Sequence, residues 1–378
     1  MPVAPRLVLF FDRGNSPQMI INTHSLRPIM LMALAVLSSG ASAELLFDSS
    51  DTLNVTIEAP MRQLIRNRLR KPEYEGILRY QDESGEEHVL PVKLSSRGNS
   101  RLETCDFPPI RLTIETGQAE GTVFAGQHKL KVVTPCKRTS YARDWLHLEL
   151  GVYRAYNVIT DYSYRVRRLQ VTYQDNESKR WEQIQPAFII ESTGAAAARL
   201  QRKSIRPPEV DIEQYSVAES ANNSLFQYLI GNTDYALKRG PSGEGCCHNG
   251  RVLATPGTTD DWVVLPYDFD QAGIIDTRYA LPSKQFSISS VKTRLYRGFC
   301  SHNEALRDSI ALFNHRRDDI TAALITPELN KRKFERAHEY VDKFYEVIND
   351  PDELYAEILN KCRGPRSAPI RKTNVSSE

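Results

Sequence analysis

The sequence predicts an α+β protein of two lobes, a β-rich N-terminal lobe followed by a mainly helical C-terminal lobe. Short runs of strand-forming residues fill the region from 53 to 134, and apolar residues at helical spacing dominate beyond residue 300. The 378 residues are enough for one two-lobed fold or for two modest domains. We place the boundary after residue 192, so that the N-terminal lobe covers 44–192 and the C-terminal lobe covers 193–363.

Seven short runs of strand-like residues build the predicted N-terminal lobe. They are Leu53–Ile57, Tyr74–Tyr80, His88–Leu94, Ile110–Ile114, Lys129–Val133, Tyr164–Tyr173 and Ala187–Glu191. β-Branched and aromatic residues, which suit a pleated sheet, are common in these runs. A helix is predicted between the fifth and sixth runs, at about Ser140–Tyr156. Its apolar side consists of Trp145, Leu148, Leu150 and Val152.

The predicted C-terminal lobe begins with a polar, proline-containing crossing that ends near Pro208. A helix at about Tyr215–Ile230 follows, and the interval Gly240–Gly257 is rich in glycine and has no periodicity. Further helices are predicted at Asn303–Phe313, Arg317–Ile325, Pro327–Val347 and Pro351–Cys362. The tail, 364–378, is predicted to be disordered.

A leader segment precedes the two lobes. Arg27 is followed by an apolar run from Ile29 to Leu37 and then by small residues up to Ala43. This order predicts a secretory signal peptide within 1–43, with cleavage after Ala43. The apolar run is too short for a comfortable membrane span. We therefore expect an exported chain, periplasmic or secreted, with no stable membrane span after cleavage.

The charge of the chain argues against nucleic acid as a partner. The net charge is +2, and residues 1–43 carry three Arg and one Asp, so the remaining chain is close to neutral. Bulk binding to nucleic acid requires a basic surplus. One local basic stretch runs from Arg62 to Lys71. Its apolar residues Leu64, Ile65 and Leu69 favour a surface helix with a solvated basic face.

Six cysteines follow the predicted cleavage site, and an even number in an exported chain favours disulfides. Adjacent cysteines rarely bond to one another, so we expect Cys246 and Cys247 each to reach a different partner. A bond between Cys105 and Cys136 would tie together two neighbouring strands of the N-terminal lobe. The sequence has no Cys-x-x-Cys pair to support a metal site.

Two acidic segments carry the residue types that phosphoryl transfer requires. Asp234 ends a Gly-Asn-Thr-Asp segment after an apolar helix, and Asp268 and Asp270 follow a predicted strand, with Asn249 between the two segments. A carboxylate such as Asp234 can orient an acceptor hydroxyl. Asn249, Asp268 and Asp270 supply the hard oxygen ligands that magnesium prefers. Each segment taken alone also fits a turn or a solvent-facing strand end.

With two further segments, these motifs resemble a known family. Arg97-Gly-Asn-Ser100 follows one predicted strand, and Lys129-Leu-Lys-Val132 forms another. The set resembles the CotH-type kinases, the spore-coat kinase family and its bacterial relatives, which are distantly similar to protein kinases. The likeness covers roughly residues 53 to 313. It implies a two-lobed, atypical protein-kinase-like fold with the nucleotide and metal between the lobes.

The resemblance also implies roles for three of the acidic and amide residues. Asp234 would be the catalytic-loop aspartate, Asn249 the magnesium-binding asparagine and Asp268 the metal aspartate. The cofactors would be ATP and Mg²⁺ or Mn²⁺, and the γ-phosphoryl group would pass to a hydroxyl of a protein substrate, whose identity the sequence does not reveal.

The resemblance further implies that a lysine of the β-rich lobe contacts the nucleotide phosphates. Lys129 and Lys131 are both candidates, because residues separated by one share a face of a strand and the sequence does not choose between them. Arg97 and Asn99 flank a glycine that lets backbone amides approach a phosphate; an ordinary β-turn with a solvent-facing Arg is the alternative. Glu191 is a candidate partner for the lysine or a contact on the adenine side; an exposed strand-end acid is the alternative.

One departure from the family pattern favours a second hypothesis. The segment Lys238–Cys247 is inserted before His248 and Asn249, whereas the family keeps its loop asparagine closer to the catalytic aspartate. Such an insert could block the nucleotide, as expected of a catalytically inactive, pseudokinase-like binding module of the cell envelope. The scarcity of ATP outside the cytoplasm favours the same alternative. Hydrolysis by Asp268 and Asp270 is disfavoured, because these residues are too close for the carboxyl separation of about 5 Å or more that glycosidases use.

Overall fold

Seven strands in the N-terminal half close into a barrel. The structure is a computed structural model and describes residues 45–365. The strands are β1 (Leu53–Ala59), β2 (Tyr74–Gln81), β3 (Glu87–Ser96), β4 (Ile110–Thr113), β5 (Lys129–Val133), β6 (Val166–Asp175) and β7 (Glu182–Ile190). Their order around the barrel is β1-β2-β3-β4-β5-β7-β6. β1 is parallel to β6, and the other neighbouring pairs are antiparallel. The seven predicted strands are thus confirmed.

Alternation along the strands fills the barrel with apolar side chains. In β1, Leu53, Val55 and Ile57 are buried, whereas Asn54 is exposed, because successive side chains of a strand point to opposite faces. The same core contains Leu112, Leu130, Val171 and Ile189. The sequence predicted only a small sheet lobe, since the pattern within each strand carries no information on closure. A closed barrel of seven strands is not typical of a kinase N-terminal lobe.

Three helices accompany the barrel: α1 (Met61–Arg66), α2 (Ser100–Thr104) and α3 (Ser140–Ile159). α1 covers only the first part of the basic stretch that the sequence predicted to be helical. α2 was not predicted, and it begins within the Arg-Gly-Asn-Ser turn. α3 is the predicted long helix, and its buried residues pack in the hydrophobic core of the C-terminal lobe as well as against β7.

The predicted C-terminal lobe contains six α-helices and three short strands. Its elements are α4 (Thr193–Arg199), β8 (Lys203–Ile205), α5 (Val217–Ile230), β9 (Gly250–Ala254), β10 (Val263–Pro266), α6 (Leu306–His315), α7 (Arg317–Leu324), α8 (Lys331–Asn349) and α9 (Pro351–Leu354). β8, β9 and β10 form a small antiparallel sheet with β9 in the centre. β9 lies in an interval for which no strand was predicted. The last predicted helix ends at Leu359, after one π-helical turn, rather than at Cys362.

α3 and α7 form a close helix–helix contact. Gly151 of α3 lies against the backbone of Leu324 in α7, and a Cβ at this position would collide with the Leu324 carbonyl group. Glycine therefore lets the two helices approach more closely than any larger residue would. The α+β architecture agrees with the sequence prediction.

Two predictions concern residues that lie wholly or partly outside those described. The signal peptide with its cleavage after Ala43 lies wholly outside them, and so do residues 366–378 of the predicted disordered tail. Within residues 45–365, no helix combines the length and the apolar character that crossing a membrane would require.

Three disulfides use all six cysteines. Cys105–Cys136 is the pair predicted from the sequence, and Cys300–Cys362 is a second long-range bond. The third joins Cys246 to Cys247, so the expectation that these neighbours reach different partners is wrong. Once the other four cysteines have paired with one another, the neighbours have only each other. Both are buried in a small hydrophobic cluster with Tyr215 and Leu237.

Removing the Cys300–Cys362 bond should markedly destabilise the protein. The bond closes a segment with a sequence separation of 62 residues, and in the chain-entropy model such a crosslink contributes about 4 kcal/mol. We expect the Cys300→Ser/Cys362→Ser double variant to unfold at a lower urea concentration than the oxidised wild type. An unchanged midpoint would show that the backbone hydrogen bond between Cys300 and Arg363 holds this end of the chain without the bond.

Candidate active site

Three of the four segments that carry the resemblance meet around one cavity of about 650 Å³. The turn at residues 98–100 contributes to its lining, as do the loop after α5 and the segment after β10. The candidate residues that line it are Asn99, Asp234, Asn249, Asp268 and Asp270. A cavity of this size is within the usual range for small-molecule sites.

The end of α5 fixes the position of Asp234. The helix ends at Gly231, which has a positive φ of 64°, and a Cβ there would collide with the Tyr340 hydroxyl. The buried Asn232 then holds the loop from within. Its Oδ1 accepts a hydrogen bond from the backbone N–H of Asp234 at 2.9 Å, and its Nδ2 donates to Gln227 Oε1 at 2.9 Å. The Asn of the Asn-Thr-Asp segment is therefore a positioning residue for the Asp.

Two neighbouring side chains bind the carboxylate of Asp234. His248 Nε2 lies 2.9 Å from Asp234 Oδ1, and Asn249 Nδ2 donates to Asp234 Oδ2 at 3.0 Å. The hydrogen bond to Asp234 raises the pKa of His248, although partial burial opposes this effect. Asn249 uses its amide nitrogen for Asp234, and its Oδ1 is an oxygen that a cation can coordinate. The insert at 238–247 therefore leaves Asn249 beside Asp234.

Asp268 and Asp270 flank a buried phenylalanine. Phe269 packs against Tyr153 of α3 with ring centroids 4.8 Å apart, and the Tyr153 hydroxyl accepts a hydrogen bond from the backbone N–H of Asp268 at 3.0 Å. Asp268 has a φ of 64°, which is uncommon for a residue with a side chain. Tyr279 donates a hydrogen bond to Asp270 Oδ2 at 3.1 Å. Anchoring of Phe269 thus brings both carboxylates to the same cavity.

The electrostatics of this acidic pair favour a bound cation. Burial of Asp270, together with the nearby charge of Asp268, raises the pKa of Asp270 to about 8. A carboxyl group in this situation resists ionisation because its charge is poorly solvated and is repelled by its neighbour. A divalent cation between the two groups would relieve both penalties.

A buried ion pair that the sequence analysis did not identify lies near the carboxylates. Arg101 of α2 and Glu149 of α3 are 8% and 3% exposed, and their side chains are 3.2 Å apart. Burial raises the pKa of Glu149, and the charge of Arg101 opposes this shift. Burial alone would lower the pKa of Arg101, but its anionic neighbours, which include Asp268 and Asp270, raise it. The sequence offered one sign of this pair: Glu149 lies between two leucines in a helix that is otherwise apolar on this side.

Lys131, rather than Lys129, is the β5 lysine whose charge interacts with Asp268. Its ammonium group lies 4.4 Å from the centre of the Tyr267 ring, which lines the cavity. Burial, with the positive charge of Arg97, lowers the pKa of Lys131 to about 7, although Asp268 opposes the shift. Lys129 is exposed. The structure thus chooses between the two lysines that share a face of β5.

Lys131→Met should stabilise the protein, and the effect should depend on pH. The pKa of Lys131 is about 7 in the folded state and is near 10.5 for an ordinary lysine, so below pH 7 the folded protein bears the cost of a poorly solvated charge. The cost disappears as the pH rises from 7 to 10.5. We expect urea unfolding at pH 6 to show a free energy of unfolding about 2 kcal/mol higher for Lys131→Met than for the wild type. This value is smaller than the full pKa shift would give, because the side chain is partly exposed and solvent screens its charge.

The pH dependence supplies the control for this prediction. The gain from Lys131→Met should shrink at pH 9, and the exposed Lys129→Met variant should show no such trend. A gain of equal size at pH 6 and pH 9 would mean that Lys131 is charged in the folded protein at both values, contrary to the lowered pKa.

The remaining candidates from the sequence, Glu191, Asn99 and Arg97, have different partners in the structure. Glu191 is buried and accepts hydrogen bonds from Arg199 Nε at 3.0 Å and Nη2 at 2.8 Å, so its partner is an arginine rather than the lysine considered from the sequence. Asn99 Oδ1 accepts a hydrogen bond from Lys71 Nζ at 3.3 Å. Arg97 is close enough to Lys131 to contribute to its lowered pKa.

The oxygen donors of Asn249, Asp268 and Asp270 form a set that suits Mg²⁺ or Mn²⁺, because both ions prefer carboxylate, amide and water oxygens.

Comparison of the chain with family models, with curated proteins and with solved structures found no match. The site must therefore be interpreted from its own geometry.

Proposed function

We propose that the protein transfers the γ-phosphoryl group of ATP to a hydroxyl of a protein substrate with the help of Mg²⁺ or Mn²⁺. One observation carries this proposal: Asp234, Asn249, Asp268 and Asp270 line a single cavity, with the basic Lys131 beside it. Phosphoryl transfer requires little covalent chemistry from the protein, because positioning and charge neutralisation supply most of the rate acceleration.

Each residue has a separate task in this proposal. Asp234 orients the acceptor hydroxyl and accepts its proton, and His248 and Asn249 hold the Asp234 carboxylate in place through the hydrogen bonds described above. Asn249 Oδ1, Asp268 and Asp270 hold the metal ion. When bound, Mg-ATP supplies the transferable group and neutralises the charge that develops on it.

Two basic side chains of the barrel are assigned to the phosphate groups of the nucleotide in this proposal. They are Lys131 of β5 and Arg97, which directly follows β3. A phosphate beside Lys131 would favour its protonated form and so offset the effect of burial on its pKa. The combination of these residues with the two lobes supports a distant kinase-like fold of the CotH type, in which the β-rich lobe is a closed barrel.

A binding module without catalysis is the second candidate, and one observation favours it. Pro241, Gly243 and Glu244 of the insert line the same cavity as the acidic residues. Glu244 adds a negative charge that would repel nucleotide phosphates. In this alternative the cavity binds another ligand, and the acidic residues hold a cation without transferring a phosphoryl group.

The cysteine pattern favours export within this proposal. Three disulfides with no free cysteine among the described residues fit an oxidising compartment. We therefore propose a periplasmic or secreted kinase that acts where ATP is supplied to it.

Asp234→Asn should separate binding from transfer. The variant keeps the shape of the side chain but removes the base, so we expect Mg-ATP binding by calorimetry to be unchanged and transfer to fall by about 10² to 10⁴. Asp161→Asn is the matched control, because Asp161 lies at the end of α3 outside the cavity lining. Full transfer by Asp234→Asn would exclude the assigned base, and loss of Mg-ATP binding would reassign Asp234 to ligand binding.

A further inference from the structure

A second groove lies on the barrel, between α1 and the β6–β7 hairpin. Its cavity has a volume of about 350 Å³. Ile65, Phe107 and Trp181 supply an apolar floor, and Arg62, Arg66 and Arg138 are the basic residues of its lining. We call this the arginine groove. None of these residues belongs to the lining of the candidate active site.

The three arginines of the groove are exposed and have no acidic partner among residues 45–365. Other arginines of the protein do have such partners. These pairs include Arg79–Glu58, Arg199–Glu191, Arg202–Asp261, Arg239–Glu209 and Arg317–Asp342. The groove therefore concentrates three arginines that form no ion pair with an acid of the described chain.

The helix geometry aligns two of these arginines. Arg62 and Arg66 are four residues apart in α1, so they lie on the same face of the helix. They also line a second cavity of about 370 Å³ on the β6–β7 side. The acids of this second cavity are engaged within the protein: Asp175 accepts a hydrogen bond from the backbone N–H of Arg62, and Glu177 accepts one from Gln63. The two cavities extend the groove along α1.

We propose that the arginine groove binds an acidic peptide segment of a protein partner that also carries an apolar side chain. Carboxylates match the planar donor forks of the three arginines, and the apolar side chain matches the floor formed by Ile65, Phe107 and Trp181. Asp106 on the same rim adds selectivity, because it repels an acid placed away from the arginines.

A protein segment fits this groove better than a nucleic acid does. The chain after residue 43 is close to neutral, whereas nucleic acid binding relies on a basic surplus. Phe107 is only 3% exposed and Trp181 is partly buried, so neither ring offers the open face on which successive bases stack. This inference goes beyond the proposed transfer reaction and does not depend on it.

The test is fluorescence anisotropy with the full, oxidised chain and a labelled peptide of sequence Glu-Asp-Glu-Phe-Glu-Asp-Glu. We expect saturable binding that weakens with added salt and falls at least tenfold in the Arg62→Glu/Arg66→Glu variant. The matched control is Arg332→Glu/Arg336→Glu, which reverses two exposed arginines with the same spacing on α8 and should bind as tightly as the wild type.

Several outcomes would overturn the proposal. These are an equal loss in both charge-reversal variants, no binding of the acidic peptide by the wild type, and tighter binding of a basic counterpart peptide or of single-stranded oligothymidylate.

A milder variant, Arg62→Gln/Arg66→Gln, controls for misfolding of the charge-reversal variant, since it removes charge without placing acids on α1. It should also weaken binding, with the thermal midpoint unchanged, and wild-type affinity in this variant would contradict the assignment.

Discussion

Replacing Asp268 with asparagine is expected to lower phosphoryl transfer by about a thousandfold, since a bound metal ion contributes several kcal/mol of transition-state stabilisation. The backbone at this position should be unaffected. Asparagine tolerates a positive φ nearly as well as aspartate does, and the hydrogen bond from the backbone N–H to Tyr153 Oη does not use the carboxylate.

The loss should coincide with weaker metal binding. Asp268 is partly exposed, and its charge contributes to the raised pKa of Asp270. Without that charge, Asp270 should ionise more readily, so the variant should not be destabilised. We therefore expect a higher Mn²⁺ concentration for half-maximal activity together with an unchanged or raised thermal midpoint.

Asp260→Asn is the matched control for this experiment. Asp260 is an exposed acid before β10 and does not line the cavity, so its replacement should leave transfer and metal dependence unchanged. Full transfer by Asp268→Asn would remove Asp268 from the metal site. An equal loss in Asp260→Asn would attribute the effect to net charge rather than to the cleft.

Arg101→Met should destabilise the protein by about 3 to 5 kcal/mol, because removing one partner of a buried ion pair leaves the other charge uncompensated. Arg101 is the cation that faces Glu149, Asp268 and Asp270 from the interior. Its Nη2 also donates a hydrogen bond to the carbonyl oxygen of Thr134, at 3.2 Å, which would be lost. Urea unfolding of the oxidised protein at pH 7 measures the effect.

The double variant Arg101→Met/Glu149→Met distinguishes the pair from its surroundings. Replacing both partners with apolar residues of similar length removes the buried charges together, so much of the lost stability should return. A double variant as unstable as Arg101→Met alone would mean that the cost arises from Asp268 and Asp270, which lose their nearby cation in both proteins. Wild-type stability of Arg101→Met would contradict the burial of this pair.

The strands and most helices could be predicted because each is encoded by a local pattern. Leu53, Val55 and Ile57 alternate with polar residues, and the pattern of α3 repeats at helical spacing. Closure of the barrel depends on the pairing of β1 with β6, which are more than a hundred residues apart, and no pattern within either strand records it. β9 was missed because the glycine-rich segment before it obscured its short apolar run.

The residues of the candidate site also fall into two groups: those that the sequence indicates and those that only the tertiary structure reveals. Asp234, Asn249, Asp268 and Asp270 were found from their residue types and order, and the structure brings them to one cavity. Arg101 and Glu149 were missed because an ion pair between two helices is recorded only in the tertiary fold. The Cys246–Cys247 bond was missed for a related reason: which cysteines remain for one another depends on the pairing of all six.

Transfer of labelled γ-phosphate from ATP, measured over time with the full, oxidised protein and either Mg²⁺ or Mn²⁺, tests the proposed function most directly. The wild type should transfer label to itself or to an added protein, and chelation of the metal should abolish the signal. The Asp268→Asn and Asp234→Asn variants should transfer far less label than the wild type, while Asp260→Asn remains fully active. Absence of label with a folded wild type that nevertheless binds Mg-ATP would contradict catalysis and leave the cavity as a binding site.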